Sequence, residues 1–145
     1  MPASGCPLCE GPGGDLVFQG RKFRVIRTDE GGFPAFYRLV WTEHVAEFSD
    51  LPPSDRHLCI DAVALMESCL RAHLNPAKVN LAALGNVVAH LHWHVIARFT
   101  WDSHFPAPVW GTAQRRAPVE DVERIAALRP GLDADIARQL SLIPG

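Results

Sequence analysis

The sequence predicts an α+β fold with an antiparallel sheet of about five strands, one long helix and short C-terminal helices. Segments of strand composition stand on both sides of a single long helical segment, an order typical of this fold class. The links between most strand candidates are too short for the crossovers that parallel strands need, so neighbouring strands should pair antiparallel. A length of 145 residues fits one domain, and we expect residues 1–145 to form it.

Three strand candidates lie in the N-terminal third of the chain. Residues 1–14 are rich in Gly and Pro and are predicted to be irregular. Asp15–Phe18 and Phe23–Arg27 follow as two short strands joined by a turn. Residues 29–34 are predicted to form a loop, and Ala35–Trp41 has the composition of a third strand.

The central segment Asp55–Leu74 predicts one long amphipathic helix. Its apolar side chains recur at helical spacing, at Leu58, Ala62, Leu65, Met66, Cys69 and Leu70. Ser54 is a suitable N-cap, and Asn75-Pro76 should end the helix. Four further elements are predicted after it: strands Lys78–Leu84 and Leu91–Arg98, and helices near Pro118–Leu128 and Asp133–Leu142.

Composition and charge exclude several classes of protein. Hydrophobic residues make up 48% and charged residues 21% of the chain, which is ordinary for a globular domain and too apolar for disorder. A net charge of −2 argues against binding nucleic-acid polymers or anionic membranes, both of which favour a cationic surplus. The sequence shows no apolar run of membrane-spanning length and no secretory signal at its start, so we expect a cytoplasmic location.

The most informative segment is His90-Leu91-His92-Trp93-His94-Val95-Ile96. Successive side chains of a strand point to opposite faces, so the three histidines share one face, and Leu91, Trp93 and Val95 share the other. Chance would produce such a triplet roughly 0.02 times per chain of this composition. Three ligands in series would spread over about 13 Å, too far for one metal ion. Nucleophilic or acid/base chemistry by at least one imidazole is therefore favoured.

The four cysteines fall into two groups. Cys59 and Cys69 lie inside the predicted helix, where buried free thiols are expected. Cys6 and Cys9 form a C-x-x-C in the N-terminal segment, which is compatible with a metal site, a redox pair or coincidence. A redox pair normally stands at a helix start within a βαβ unit, which this segment lacks, and a zinc site would need two more ligands.

At these residues the chain resembles the histidine-triad (HIT) family, whose signature is His-φ-His-φ-His-φ-φ with φ apolar. The similarity covers about residues 6–100 and leaves 101–145 as an extension of unassigned role. Gly85-Asn86-Val87-Val88-Ala89 stands where the family usually has Gly-Gln-Ser-Val-x, and Asp29 and His44 match its Asp loop and a histidine after the following strand. Cys6 and Cys9 match an N-terminal pair found in its zinc-containing members.

The resemblance implies nucleotide hydrolysis or nucleotidyl transfer at the α-phosphate of a purine nucleotide conjugate. Such a substrate is a dinucleoside polyphosphate or a nucleoside phosphoramidate. His92 would form the covalent nucleotidyl-histidine and His94 would hydrogen-bond a non-bridging phosphate oxygen. Asp29 would accept from the ribose hydroxyls, and Asn86 would contact a phosphate.

The resemblance also implies a zinc ion held by Cys6, Cys9, His44 and His90, and a homodimer formed through Lys78–Leu84 and the long helix. Two departures from the family matter. Asn86 replaces a glutamine and keeps an amide, whereas Val87 replaces a serine that contacts the leaving group, and valine donates no hydrogen bond. Two alternatives therefore stand beside the enzyme. One is a catalytically weak nucleotide-binding or adaptor protein of the same fold, and the other is a zinc-stabilised interaction domain.

Overall fold

A computed structural model of the protein describes residues 2–144 and contains one five-stranded sheet in the order β1-β2-β3-β5-β4. All neighbouring strands are antiparallel. The strands are β1 (Asp15–Gln19), β2 (Phe23–Glu30), β3 (Phe33–Trp41), β4 (Lys78–Ala82) and β5 (His92–Arg98). The helices are α1 (Pro7–Glu10), α2 (Pro53–Leu74), α3 (Val119–Ala126) and α4 (Arg129–Leu140), and a 3-10 turn spans Phe48–Asp50. The predicted α+β class, strand number and long helix are confirmed.

One face of the sheet is covered by α2 and α4. The helix α2 buries the side that its periodicity predicts, with Cys59, Ala62, Val63, Met66, Cys69, Leu70 and Leu74 against the sheet. Alternate residues of β3, Tyr37, Leu39 and Trp41, meet them. Burying the larger of these side chains, such as Met66 and Leu70, contributes roughly 1.5–3 kcal/mol each. Within residues 2–144, no helix combines the length and apolar character needed to cross a membrane.

The opposite face of the sheet is covered only at its ends. At one end, residues of the N-terminal segment pack on β2 and β3 in a cluster of Cys6, Leu8, Ile26 and Val40. At the other end, Val109 packs on a second cluster of Phe33, Phe36 and Ile96. The surface between the two clusters is an open cavity. This arrangement places the middle of β3 and β5 at the floor of that cavity.

The predicted loop over residues 29–34 is wrong, because β2 continues to Glu30 and β3 begins at Phe33. Only Gly31 and Gly32 form the turn between them. Gly32 has φ +83, and a Cβ there would lie 2.8 Å from the Ser103 side-chain oxygen. Glycine therefore permits a tight hairpin that most residues would prevent. As a consequence, Asp29 lies on a strand and not in a loop.

Several element boundaries also differ from the prediction. The helix α2 begins at Pro53 with Pro52 as its N-cap, so Ser54 lies within the first turn. Proline suits this place because its missing N–H has no helical partner there. Pro118 is likewise the N-cap of α3 rather than its first residue. Residues 7–10, expected to be irregular, form the single turn α1, and α4 already begins at Arg129.

Candidate active site and metal centre

The strand β5 presents two histidines to the cavity. His92 and His94 are 9% and 5% exposed and face the open side of the sheet, whereas Val95 lies in the core beneath α2. His92 pairs with Val40 and His94 with Arg38 of the neighbouring strand β3. His90 precedes β5, and its ring points into a separate cluster with two cysteines. The three histidines thus divide between two sites.

The protonation state of His92 follows from one hydrogen bond. Its Nδ1 lies 2.6 Å from the carbonyl oxygen of His90. Since a carbonyl only accepts, Nδ1 carries the proton and Nε2 keeps a free lone pair. Burial lowers the pKa of His92, and the Arg38 charge lowers it further, although the carbonyl contact opposes them. His92 is therefore neutral at pH 7, as a nucleophile requires.

His94 has the opposite tautomer. Arg38 Nε donates to His94 Nδ1 across 3.3 Å, and a guanidinium has no lone pair to accept with. The proton of neutral His94 must therefore sit on Nε2. Burial, followed by the positive charge of Arg38, lowers the pKa of His94 to about 4. The rings of His92 and His94 lie 5.0 Å apart, so a lone pair and an N–H donor stand side by side in one cavity.

The cavity has a volume of about 720 Å³, within the range of small-molecule sites. One wall is the loop after β4, where Gly85 takes φ +73, a left-handed conformation that glycine adopts without strain. Asn86 and Val87 of this loop line the cavity. The Val87 side chain is 96% exposed and presents no donor to a ligand. The remaining walls are Pro7 and Leu8 on one side and Trp110 on the other.

Trp110 reaches the cavity because a buried ion pair shapes the segment before it. Asp102 is fully buried and accepts two hydrogen bonds from Arg98, at 2.8 and 3.1 Å. Its carboxylate also accepts from the backbone N–H groups of Phe99, His104 and Phe105. The Trp110 ring then lies 5.0 Å from the His94 ring and is 53% exposed. Half of its surface is thus available to a ligand.

Asp29 is not brought to the cavity. Its side chain is 86% exposed, and its nearest charged partner is Arg129, 3.8 Å away on α4. It is absent from the cavity lining found within residues 2–144. The pairing of Asp29 with ribose hydroxyls stays a prediction, which the KM of an Asp29→Asn variant would test.

The structure brings all four predicted metal ligands together. The ligand atoms of Cys6, Cys9, His44 and His90 lie within 4.8 Å of one another. The measured separations are 3.3 to 3.5 Å for sulfur to nitrogen and 3.2 Å for nitrogen to nitrogen. Zinc–ligand bonds of about 2.0–2.3 Å place tetrahedral ligand atoms roughly 3.3–3.7 Å apart. Two thiols and two imidazoles at this spacing fit a tetrahedral zinc.

Hydrogen bonds around the cluster also suit a metal. His90 Nε2 donates to the Trp41 carbonyl at 2.6 Å, which leaves Nδ1 free to ligate. The backbone N–H of Ala3 points at Cys9 Sγ, 3.4 Å away, and would stabilise a thiolate. Arg24 donates to the carbonyls of Leu8, Gly11 and Pro12 and fastens the N-terminal segment to β2. The cluster and Arg24 together hold Pro7 and Leu8 in the cavity wall.

Two residues that line the cavity, Arg38 and Trp110, were not predicted from the sequence as site residues. Arg38 stands in a strand whose other residues are buried, and a cation inside an apolar run is a signal that could have been noticed. Trp110 could not be separated from Trp41 and Trp101 by composition. Trp41 is buried in the core and Trp101 stacks on Phe99, so the structure assigns only Trp110 to the cavity.

Comparison with known proteins agrees with this fold and shows the family. The HIT domain family model matches residues 13–101, which is more than half of the chain, and the chain therefore belongs to the HIT family. Among curated proteins, none matches this chain.

Solved structures give the same result. A histidine triad protein from Bradyrhizobium japonicum is 29% identical, with a TM-score of 0.65 over 81% of this chain and 91% of that one. One from Sinorhizobium meliloti is 26% identical, with a TM-score of 0.67 over 86% of this chain and 88% of that one. A zinc-bound histidine triad family protein from Mycobacterium smegmatis is 16% identical and shares the fold. Its TM-score is 0.54 over 83% of this chain and 87% of that one.

Proposed function

We propose that the protein is a nucleotide hydrolase or nucleotidyl transferase that acts through a covalent intermediate on His92. Its substrate would be a purine nucleotide conjugate cleaved at the α-phosphate. The observation that carries this proposal is the complementary protonation of two adjacent histidines. His92 offers a lone pair and His94 an N–H to the same cavity.

The reaction would take two displacements at phosphorus. In the first, the Nε2 lone pair of His92 forms a bond to the α-phosphorus while the bond to the leaving group breaks. The electrons of that bond depart with the leaving group, which takes a proton from water where it is an amine. In the second, a water oxygen attacks the same phosphorus and the N–P bond breaks, returning its electron pair to Nε2. The water proton goes to solvent, and the nucleoside monophosphate is released.

The neighbouring groups would stabilise charge on the phosphoryl oxygens. The Nε2–H of His94 is a neutral donor at pH 7 and needs no change of protonation during the reaction. A preformed donor of this kind is worth about 10²–10³ in rate. Asn86, on the loop that follows β4, supplies an amide toward the same cavity. Trp110 offers an aromatic surface on which a base or an aromatic leaving group would stack.

The best-supported substrates are dinucleoside polyphosphates and nucleoside phosphoramidates. Both present an α-phosphate between a nucleoside and a leaving group, and the cavity is large enough for a nucleotide. Incubation with one conjugate of each kind, followed by acid quenching and intact mass measurement, should trap one nucleotidyl group on the wild-type chain. Absence of the adduct with both kinds, together with no nucleoside monophosphate release, would contradict the proposal.

Val87 favours a second candidate function, that of a nucleotide-binding protein with slow turnover. Its side chain is exposed in the cavity where a hydrogen-bond donor would assist the leaving group. A protein that binds nucleotides but turns them over slowly would fit this substitution. Val87→Ser separates the two functions, since a large gain in kcat at unchanged nucleotide affinity would indicate a binding protein that has lost turnover.

We also propose that the four-residue cluster holds a structural zinc ion. The donor set and its spacing support this, as does the zinc-bound relative from Mycobacterium smegmatis. The ion would supply a cross-link between the N-terminal segment and the start of β5 and no reaction chemistry, because all four tetrahedral positions are protein ligands. Cys6, Cys9, Cys59 and Cys69 form no disulfide, and reduced cysteines fit the proposed cytoplasmic location.

A homodimer is proposed for the edge of the sheet formed by β4. This strand ends the sheet order, so one side of it has no partner within residues 2–144. Leu81 on β4 and Ile60 on α2 are 40% and 42% exposed, which leaves apolar surface beside an open strand edge. A two-fold pairing of β4 and α2 would cover both.

A further inference from the structure

Arg38 is a charged residue in a strand that otherwise builds the core. The other eight residues of β3 are buried, and Arg38 is intermediate between buried and exposed. Its nearest carboxylate oxygen, on Glu30, is 4.0 Å away, too far for a hydrogen bond. An apolar residue would avoid the cost of desolvating a guanidinium here. The placement of a cation at this position therefore needs another explanation.

The surroundings of Arg38 direct its guanidinium at His94. The two residues are direct cross-strand partners on β3 and β5. The Phe36 ring lies 5.5 Å from the guanidinium carbon and 5.8 Å from the His94 ring, so one aromatic side chain restrains both groups. The hydrogen bond from Arg38 Nε to His94 Nδ1 joins two side chains that the sheet register already places opposite each other. The contact is thus a built feature of the folded chain.

We infer that Arg38 is a positioning residue that holds His94 as the Nε2–H tautomer and turns its own terminal N–H groups toward the phosphate of the substrate. The inference rests on the proposed function, because it names a further residue of the same site. It predicts a substrate whose reacting group is anionic, since both His94 and Arg38 offer only donors to it.

The Arg38 guanidinium has no lone pair and can only donate hydrogen bonds. A His94 proton on Nδ1 would face the Arg38 N–H directly and lose the hydrogen bond, so only the Nε2–H form is compatible with the contact. In residues 2–144, no acceptor lies within hydrogen-bond distance of the two terminal nitrogens of Arg38. Because Arg38 lines the cavity, these nitrogens are available to phosphoryl oxygens.

Three variants test the inference: Arg38→Leu, Arg38→Gln and Arg38→Lys. In ligand-free protein labelled with ¹⁵N-histidine, NMR should show His94 protonated on Nε2 in the wild type and a mixture of both tautomers in Arg38→Leu. With a nucleotide conjugate as substrate, kcat of Arg38→Gln should fall about 10²–10³-fold. Arg38→Lys keeps the charge and a donor but not the planar fork, and should recover kcat to within about tenfold of the wild type.

Arg21→Gln is the matched control, because Arg21 is an exposed arginine between β1 and β2 and outside the cavity lining. It should change neither the tautomer nor kcat. An unchanged His94 tautomer in folded Arg38→Leu, whose side chain has no donor, would overturn the positioning role, whatever happens to kcat. If the wild type forms no nucleotidyl adduct, the proposed function fails, and the NMR comparison alone still decides the role of Arg38.

Discussion

The carbonyl oxygen of His90 accepts a hydrogen bond from Nδ1–H of His92 at 2.6 Å, while the His90 ring belongs to the four-residue cluster with Cys6, Cys9 and His44. One residue therefore joins the two sites, through its side chain on one side and its backbone on the other. A shift of His90 would change the orientation of the His92 ring and the protonation of its two nitrogens. The proposed metal site is thus positioned to support the proposed nucleophile, although none of its four ligands lines the cavity.

Substitution of His92 should abolish turnover without unfolding the protein. His92→Asn removes the nucleophile, and we expect kcat to fall by about 10⁴-fold or more with no covalent adduct. His94→Ala removes a donor and should cost about 10²–10³-fold. His57→Asn, on the exposed side of α2, is the control and should behave as the wild type. Activity of folded His92→Asn within about tenfold of the wild type would refute the assignment.

Loss of the cysteine ligands should remove the metal and loosen the N-terminal segment. Elemental analysis of protein produced with zinc should find about one zinc per chain, and none in the Cys6→Ser, Cys9→Ser double variant. The melting temperature of that variant should drop by about 5 °C or more. Cys59→Ala and Cys69→Ala, buried on α2, should lose stability but keep the zinc. A wild-type protein without metal would contradict this prediction.

The buried ion pair between Arg98 and Asp102 gives a pH-dependent prediction. Burial raises the pKa of Asp102, but hydrogen bonds from Arg98 and three backbone amides outweigh it, so the net pKa is lowered. A carboxyl whose pKa is lower in the folded protein than in the unfolded chain stabilises the fold. This contribution is complete at pH values above the unfolded pKa of about 3.9. This stabilisation is lost as the pH falls through the folded pKa.

We therefore expect Asp102→Asn to lower the free energy of unfolding by about 3–5 kcal/mol at pH 7. The difference in the free energy of unfolding between this variant and the wild type should become smaller below about pH 4. Chemical denaturation at pH 7 and pH 3 measures both values. Asp61→Asn, at an exposed position on α2, should have no effect at either pH. A difference that is equal at both pH values would show that the charge of Asp102 is not the cause.

Trp110 should affect substrate binding more than stability. Its side chain is half exposed, so Trp110→Ala should leave the melting temperature nearly unchanged. Loss of an aromatic contact should raise KM by about three- to tenfold, and Trp110→Phe should retain most of the affinity. Steady-state kinetics with a purine conjugate provides the measurement. Equal KM values for the alanine variant and the wild type would remove Trp110 from the binding site.

The oligomeric state tests the open edge of β4. Light scattering at micromolar concentration should give about twice the chain mass of 16.0 kDa. Leu81→Glu places a charge in the proposed interface and should yield monomers. Leu16→Glu makes the same change on the opposite edge strand, β1, where Leu16 is 55% exposed, and should leave the dimer intact. A wild-type monomer at high concentration would exclude this interface.

The sequence alone determined the features that depend on local periodicity. The alternation from His90 to His94 predicted three imidazoles on one face. Two of them, His92 and His94, share the cavity because side chains of a strand point alternately to its two faces, whereas His90 precedes β5 and lies in the four-residue cluster. The spacing of apolar residues in α2 likewise predicted which side of the helix packs on the sheet. Both patterns need only the geometry of one element.

Only the tertiary structure decided what stands around the two histidines. Arg38 meets His94 through the register between β3 and β5, and register depends on pairing between segments far apart in sequence. Trp110 reaches the cavity because buried Asp102 fixes the path of the segment that carries it. Asp29 lies on β2 rather than in a loop because the strand continues to Glu30, and it is not among the residues that line the cavity. These relationships arise from long-range packing, which a pattern along the chain does not encode.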